Sequence, residues 1–243
     1  MDTKKINTKI YKLQPCSVGY KEFKGISTVM DIKDEMISHY EALLPRPLEV
    51  PSRPFMLCNL RHFTKVFPWP MPGYLEAAMC IRAKYPGSEE GWYVLSMPAS
   101  SFIACATGKR LGYPKYIPDQ QTLEPIGNDW EGKVTHAGKS PFTLKFSPGD
   151  VDVWWKDVFK KGDVFFIRDS HDRINQMQSV IQDYKIDDIK TGNVTISVDS
   201  DDEWSKLVPG SKQTVPGIFN TFVGKVALTR KDRKPLGIHD GGT

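Results

Sequence analysis

The sequence predicts an α+β domain rich in β-structure: an antiparallel sheet or barrel with a few peripheral helices. Three observations carry that prediction. Short apolar segments recur between clusters of Gly, Pro, Asn and Asp, the pattern of strands joined by turns. The run from Tyr74 to Tyr85 is apolar on both faces, as a strand covered on both sides is. Helical periodicity is confined to 31–44, 100–111 and 172–184. No linker, repeat or low-complexity segment divides the 243 residues, so a single domain over 1–243 is expected.

Taken in order, residues 31–44 read as a helix. Asp31 is placed to cap it, and Ile32, Met36, Tyr40, Leu43 and Leu44 form one apolar stripe. Pro45-Arg46-Pro47 ends it. Phe55 to Phe63 reads as a strand. Tyr74 to Tyr85 follows, bounded by Gly73 and by Pro86-Gly87. Leu75, Ala77, Met79 and Ile81 share one face; Tyr74, Ala78 and Cys80 share the other; Glu76 lies inside the run. Gly91 to Met97 is the next strand. Pro98 precedes a helix-like stretch from Ser100 to Leu111, which Ser100 or Ser101 can cap. Beyond Lys115 the pattern is mostly β. Strands are expected at Trp130–His136, Phe142–Phe146, Val164–Ile167, Val194–Val198 and Phe219–Leu228. Ile174, Met177 and Ile181 suggest a helix at Asp172–Tyr184.

Composition excludes several classes of function. The net charge of +4 is small, and opposite charges are interleaved except in the tail from Lys225 to Lys234. Nothing argues for a nucleic-acid partner. No apolar run approaches the roughly 18 residues of a membrane span. Met1-Asp2-Thr3-Lys4-Lys5 leads into no apolar signal region, so a cytoplasmic protein without a membrane partner is expected. Cysteines 16, 58, 80 and 105 are widely spaced and contain no Cys-x-x-Cys pair, which favours free thiols. His62, His136 and His171 lack metal-ligand spacing. Asp199, Asp201, Asp202 and Glu203 lack the glycine of a calcium loop. Trp154-Trp155 reads as core or subunit interface.

Two residues carry candidate chemistry. Lys115 closes the turn Leu111-Gly112-Tyr113-Pro114-Lys115. A turn lysine is ordinarily solvated. Aimed inward among apolar groups, its amine loses its proton and becomes a nucleophile toward carbonyl carbon. Glu76 sits in the apolar strand. Its ordinary alternative is an edge facing water; buried, it costs several kcal/mol unless paired or protonated.

Gly73-Tyr74-Leu75-Glu76-Ala77 and Ala104-Cys105-Ala106-Thr107-Gly108-Lys109-Arg110-Leu111-Gly112-Tyr113-Pro114-Lys115 together resemble the heart of the acetoacetate decarboxylase family. Leu44-Pro45-Arg46-Pro47-Leu48-Glu49 resembles its Pro-x-Pro-Leu-Glu segment, and Trp204 to Pro209 a late one. The resemblance implies that family's barrel-like fold, with Lys115 as Schiff-base lysine and Glu76 as active-site glutamate. It implies decarboxylation of a β-keto acid with no metal or nucleotide, and a homo-oligomer. Activation of the lysine by desolvation or a nearby cation is established for acetoacetate decarboxylase and enters here as an expectation. Tyr74, Met97, Tyr113 and Arg61 are the candidate substrate-binding residues. An arginine beside the amine, Arg53 or Arg61, favours an acidic substrate; a purely apolar shell favours a neutral carbonyl.

The chain departs from the family at three places. Thr107-Gly108-Lys109 stands where Gly-Arg-Glu is usual, and Tyr116 where many members have a second lysine. No arginine lies between Met1 and Pro45; only Lys21 and Lys24 are near the expected place. Apolar burial is therefore expected to activate Lys115, with Lys109 or Arg110 assisting. Two other functions remain open: aldol or dehydratase chemistry through the same iminium, and a barrel that only binds a small ligand.

Overall fold

The computed structural model describes residues 19–67, 72–87, 90–155, 164–168 and 174–230. Its strands are β1 (Gly19–Asp31), β2 (Phe55–Phe67), β3 (Tyr74–Lys84), β4 (Glu90–Pro98), β5 (Lys115–Tyr116), β6 (Gln120–Ile126), β7 (Asp129–His136), β8 (Lys139–Pro148), β9 (Val164–Arg168), β10 (Ile174–Ser197) and β11 (Lys212–Arg230). Two short helices, α1 (Ile37–Leu43) and α2 (Phe102–Leu111), sit between strands. The order in the sheet is β11-β1-β2-β3-β4-β9-β10-β8-β7-β6, with β5 paired to β4. β10 also pairs with β11, so the sheet curls until it meets itself. Neighbours are antiparallel except β4–β5 and β4–β9. The expected β-rich, antiparallel, barrel-like architecture is the one observed.

Alternation along β1, β2 and β3 creates two buried faces. On the first, Ile26, Met30, Met56, Cys58, Leu60, Ala77, Met79 and Ile81 join Val134, Phe142, Leu144 and Phe146 of β7 and β8. Tyr40 of α1 belongs to this cluster. So do Trp204 and Leu207 of the 3-10 turn Glu203–Leu207, which explains why the 204–208 segment is apolar. On the second face, Val29, Leu57, Ala78, Cys80, Val94 and Ile218 pack with Leu111, Tyr113 and Trp155. The double apolar pattern of β3 is the direct consequence.

Tyr40 is fully buried and its hydroxyl donates to the carbonyls of Phe55 and Arg82. Burial pushes its phenol well above the ordinary range, so it remains a donor. Tyr40→Phe leaves two carbonyls short of a donor and is expected to lower stability by about 1–3 kcal/mol. Urea unfolding monitored by tryptophan fluorescence measures the loss.

Two expected helices change. Asp31 does not cap a helix; it ends β1 and pairs with Arg53, Nε to Oδ1 2.9 Å. The strand ladder reaches Asp31↔Phe55, and Ile32 N–H still donates to Pro54, so helix begins only after the 3-10 turn Asp34–Met36. The stretch 174–184 is strand, pairing with β9 on one side and β11 on the other. Cross-strand hydrogen bonds on both sides outweigh a weak helical spacing. β1 and β6 were not anticipated. Cys16 and His171 lie outside the described residues.

Elsewhere, Cys58, Cys80 and Cys105 are buried and form no disulfide among the described residues. Trp155 is core, while Trp154 is exposed under the Arg53 guanidinium, 3.9 Å from its ring centroid. In the acidic run, Asp202 accepts from Ser200 and from the Trp204 indole at 3.1 Å; Asp201 pairs with Lys139 and Glu203 with Lys206. These bonds give the acidic run a structural job at the start of the turn.

Candidate active site

The turn that carries Lys115 is fixed from several sides. Ser101 caps α2, its hydroxyl accepting from Ala104 N–H at 3.3 Å, while Ser100 Oγ accepts from Leu75 N–H at 2.8 Å and ties the helix start to β3. At the other end Gly112 adopts φ 100°, a left-handed value that glycine takes without strain. Tyr113 N–H returns to Gly108 C=O, closing the helix. β5 then pairs in parallel with β4, Met97 opposite Lys115. Backbone bonds Met97 N–H to Pro114 and Ala99 N–H to Tyr116 hold that pairing.

Lys115 is thereby turned inward. It is 7% exposed, and its amine donates to Glu76 Oε2, itself 9% exposed. Tyr74 O–H donates to the same oxygen at 3.3 Å. The Lys115 amine lies 5.9 Å from the centroid of the Tyr113 ring. Gly108 of α2 lies against the lysine stem: a Cβ there would stand 2.3 Å from Lys115 Cδ and 2.5 Å from Cε. Only a residue without a side chain lets the helix rest on this lysine.

Glu76 belongs to a polar belt across the second face. In register with it are Arg61 of β2, then Gly25 of β1, then Asn220 of β11. One step along the strands, on the same face, are Ser27 and Asn59, both buried. Apolar clusters bound the belt. On one side are Phe23, Phe63, Tyr74, Ala104 and Phe222. On the other are Val29, Leu57, Ala78, Met97, Tyr113 and Ile218. Water is thus largely excluded from a layer that, among the described residues, holds the Glu76 carboxylate and two basic groups, Lys115 and Arg61.

The structure brings together all six candidate residues: Lys115 and Glu76 in contact, Tyr74 and Tyr113 beside them, Met97 paired to Lys115, and Arg61 in register with Glu76. Arg53 is elsewhere, at the end of β1 with Asp31. Lys109 and Arg110 are exposed on the far side of α2 and do not assist the amine. Lys24 faces away as well: its register partner is His62, and its amine lies 5.1 Å from the Trp130 ring on the first face. His62 is held below its ordinary pKa by burial first and by Lys24 second. The Lys21 side chain is outside the described residues. Tyr116 points away from the amine and lies 4.8 Å, ring to ring, from His136. Its phenol is raised by burial, against a bond with Ser96.

Ser27, Asn59 and Asn220 escaped the sequence reading. Small polar residues in a strand look like turn residues, and only the apolar partners around them in register (Phe23, Val29, Ile218, Phe222) mark them as interior.

A buried amine joined to a carboxylate between apolar walls, set in a curled antiparallel sheet, is an arrangement that can serve carbonyl chemistry. The acetoacetate decarboxylase family model matches residues 37–210, spanning Glu76, α2 and Lys115. The chain belongs to the acetoacetate decarboxylase family. Acetoacetate decarboxylase of Legionella pneumophila shares the fold with TM-score 0.66 at 16% identity, over 88% of this chain and 85% of its own. An acetoacetate decarboxylase-like enzyme of Sphingomonas wittichii gives 0.65 at 16% identity, over 88% and 92%. The enduracididine biosynthesis enzyme MppR, solved with the condensation product of pyruvate and imidazole 4-carboxaldehyde, gives 0.63 at 12% identity, over 88% of both chains. No curated protein sequence matches the chain. No helix among the described residues is long and apolar enough to cross a membrane.

Proposed function

We propose that the chain is a Schiff-base lyase that decarboxylates a β-keto acid at Lys115. The observation that carries this reading is the buried contact between the Lys115 amine and Glu76. The charge balance of the belt supports it. At the iminium stage, with its proton given up to the departing water, Glu76 cancels Arg61. A substrate carboxylate then brings one negative charge, and the iminium one positive. In a low-dielectric layer that balance favours the iminium over a neutral adduct.

The sequence of steps is as follows. Glu76 takes a proton from the Lys115 ammonium. The free amine adds to the ketone carbon and its proton passes to the oxygen, giving the carbinolamine; Glu76 then returns its proton to that hydroxyl, which leaves as water to form the iminium. The bond between the α-carbon and the carboxylate breaks, its electron pair moves into the iminium, and carbon dioxide leaves an enamine. The α-carbon takes a proton from solvent, relayed by Glu76 or its hydrogen-bonded partner Tyr74. Water adds to the resulting iminium and releases the ketone and the lysine. Arg61 holds the acid group, while Tyr113 and Met97 form apolar walls. No metal or nucleotide enters the scheme. We also take the chain to act as a cytoplasmic homo-oligomer, an assembly that would cover Phe102, 78% exposed on α2; size-exclusion chromatography tests the assembly.

Glu76→Gln removes the proton acceptor but keeps a similar shape. It is expected to lower kcat for acetoacetate on the order of 10²- to 10⁴-fold. A rate within twofold of wild type would make Glu76 a structural partner only.

A second reading keeps the lysine and changes the outcome to condensation or dehydration. The structural likeness to MppR, solved with a condensation product of pyruvate, favours keeping it in view. Product analysis separates the two. Carbon dioxide and acetone from acetoacetate support decarboxylation; a new carbon–carbon bond from pyruvate and an aldehyde, without carbon dioxide from acetoacetate, supports the second reading.

A further inference from the structure

The belt row does not stop at Arg61. Beyond it are Gly25 and Asn220. Gly25 leaves a gap, and the gap is filled from β2: a Cβ on Gly25 would stand 2.9 Å from Arg61 Cγ. The Arg61 head then reaches both side chains that flank Gly25 on this face. Its Cζ is 4.9 Å from the Phe23 ring centroid, and Nη2 donates to Ser27 Oγ at 3.4 Å. The cation is thereby carried across β1 toward β11. There Asn220 is 8% exposed, between Ile218 and Phe222, whose side chains share its face. Phe222 stacks on Phe23 at 4.7 Å, so the neighbouring positions are packed around the amide. The Asn220 Oδ1 atom is buried and has no hydrogen-bond partner among the described residues. Buried amide oxygens are rarely left so.

We propose that Asn220 Oδ1 and Arg61 form a two-point subsite for a keto acid that carries a hydroxyl group remote from its reacting carbonyl. Arg61 takes the acid group and Asn220 accepts from the hydroxyl. The inference rests on the Schiff-base reading of Lys115 and names the substrate class for it. Strands lie about 4.8 Å apart, so the row from Glu76 to Asn220 runs about 14 Å along the sheet. Lys115 and Arg61 both reach inward over it, so a substrate that spans it from Lys115 to Asn220 is longer than acetoacetate. A keto acid without the hydroxyl would fill the same space and leave Oδ1 unsatisfied.

The test uses the full chain and two acids, 2-oxohexanoate and 6-hydroxy-2-oxohexanoate, with sodium borohydride. The amine and ketone form an imine with loss of water, and hydride from borohydride reduces the C=N bond to a stable secondary amine. The adduct on Lys115 is quantified by mass spectrometry against acid concentration. The hydroxylated acid is expected to half-saturate trapping at a concentration lower on the order of tenfold, the worth of one hydrogen bond. Asn220→Leu is expected to abolish that preference while still giving the adduct. Equal half-saturation in the wild type overturns the subsite, even where the variant does not fold. A preference that survives in Asn220→Leu also overturns it. No adduct with either acid overturns the subsite; no adduct with acetoacetate in a parallel trapping defeats the lysine reading as well.

Discussion

Replacing Lys115 with alanine is expected to cut turnover of a β-keto acid on the order of 10⁴-fold or more, the scale on which loss of a covalent nucleophile is felt. A lysine near its free pKa of about 10.4 is neutral only once in a few thousand molecules at pH 7, so the buried setting has to supply the free amine. Here the setting is visible: a stem against Gly108, a ring at Tyr113, and Arg61 in register with Glu76, which offsets the pull of that carboxylate on the ammonium. The substitution also strips Glu76 of its partner. An unpaired buried carboxylate costs about 3–5 kcal/mol, reduced by Arg61 in register and by the Tyr74 hydroxyl. A folded but inactive Lys115→Ala, checked by circular dichroism and acetoacetate turnover, is therefore the expected outcome. Lys115→Ala combined with Glu76→Gln removes the stranded charge and keeps the test valid if the single variant unfolds.

Gly108→Ala is expected to lower kcat about 100-fold with a smaller effect on stability. The added methyl would lie 2.3 Å from Lys115 Cδ. The lysine stem has to swing aside, and a misplacement of about 1 Å at a reacting group can cost 100-fold in rate. Stability is pulled two ways. Alanine gains up to about 1 kcal/mol in helix propensity over glycine, and overpacking costs about 1–3 kcal/mol. The net loss is about 0–2 kcal/mol, smaller than the effect on rate, so activity should fall further than melting temperature. Steady-state kinetics and thermal unfolding on one preparation check this. A variant with wild-type kcat would show that α2 does not set the position of the amine.

The parts of the molecule legible in the sequence are those where one physical pattern acts alone. β3 announced itself because both its faces are covered by apolar layers. The α2 turn announced itself through Ser101, Gly112 and Pro114, each at a position where only a few residue types fit. Glu76 and Lys115 could be paired because a charge inside an apolar run demands a partner. Other parts were hidden by competing patterns. In β1, the second face carries Gly25 and Ser27 between Phe23 and Val29, so neither a helical nor a strand period stands out. At 174–184, apolar spacing by three and four residues suggested helix, yet β9 and β11 supply ladder partners on both sides. The cation beside Glu76 stands on β2, and the N-terminal strand admits it by carrying glycine at position 25.

The central claim is that Lys115 forms a covalent imine with its substrate, and borohydride trapping with acetoacetate tests it most directly. After reduction, proteolysis and mass spectrometry, the account predicts one adduct, on Lys115, with the mass of an isopropyl group from the acetone formed. Its appearance should parallel loss of activity. Full activity after reduction, or an adduct confined to exposed lysines such as Lys109, would contradict the account.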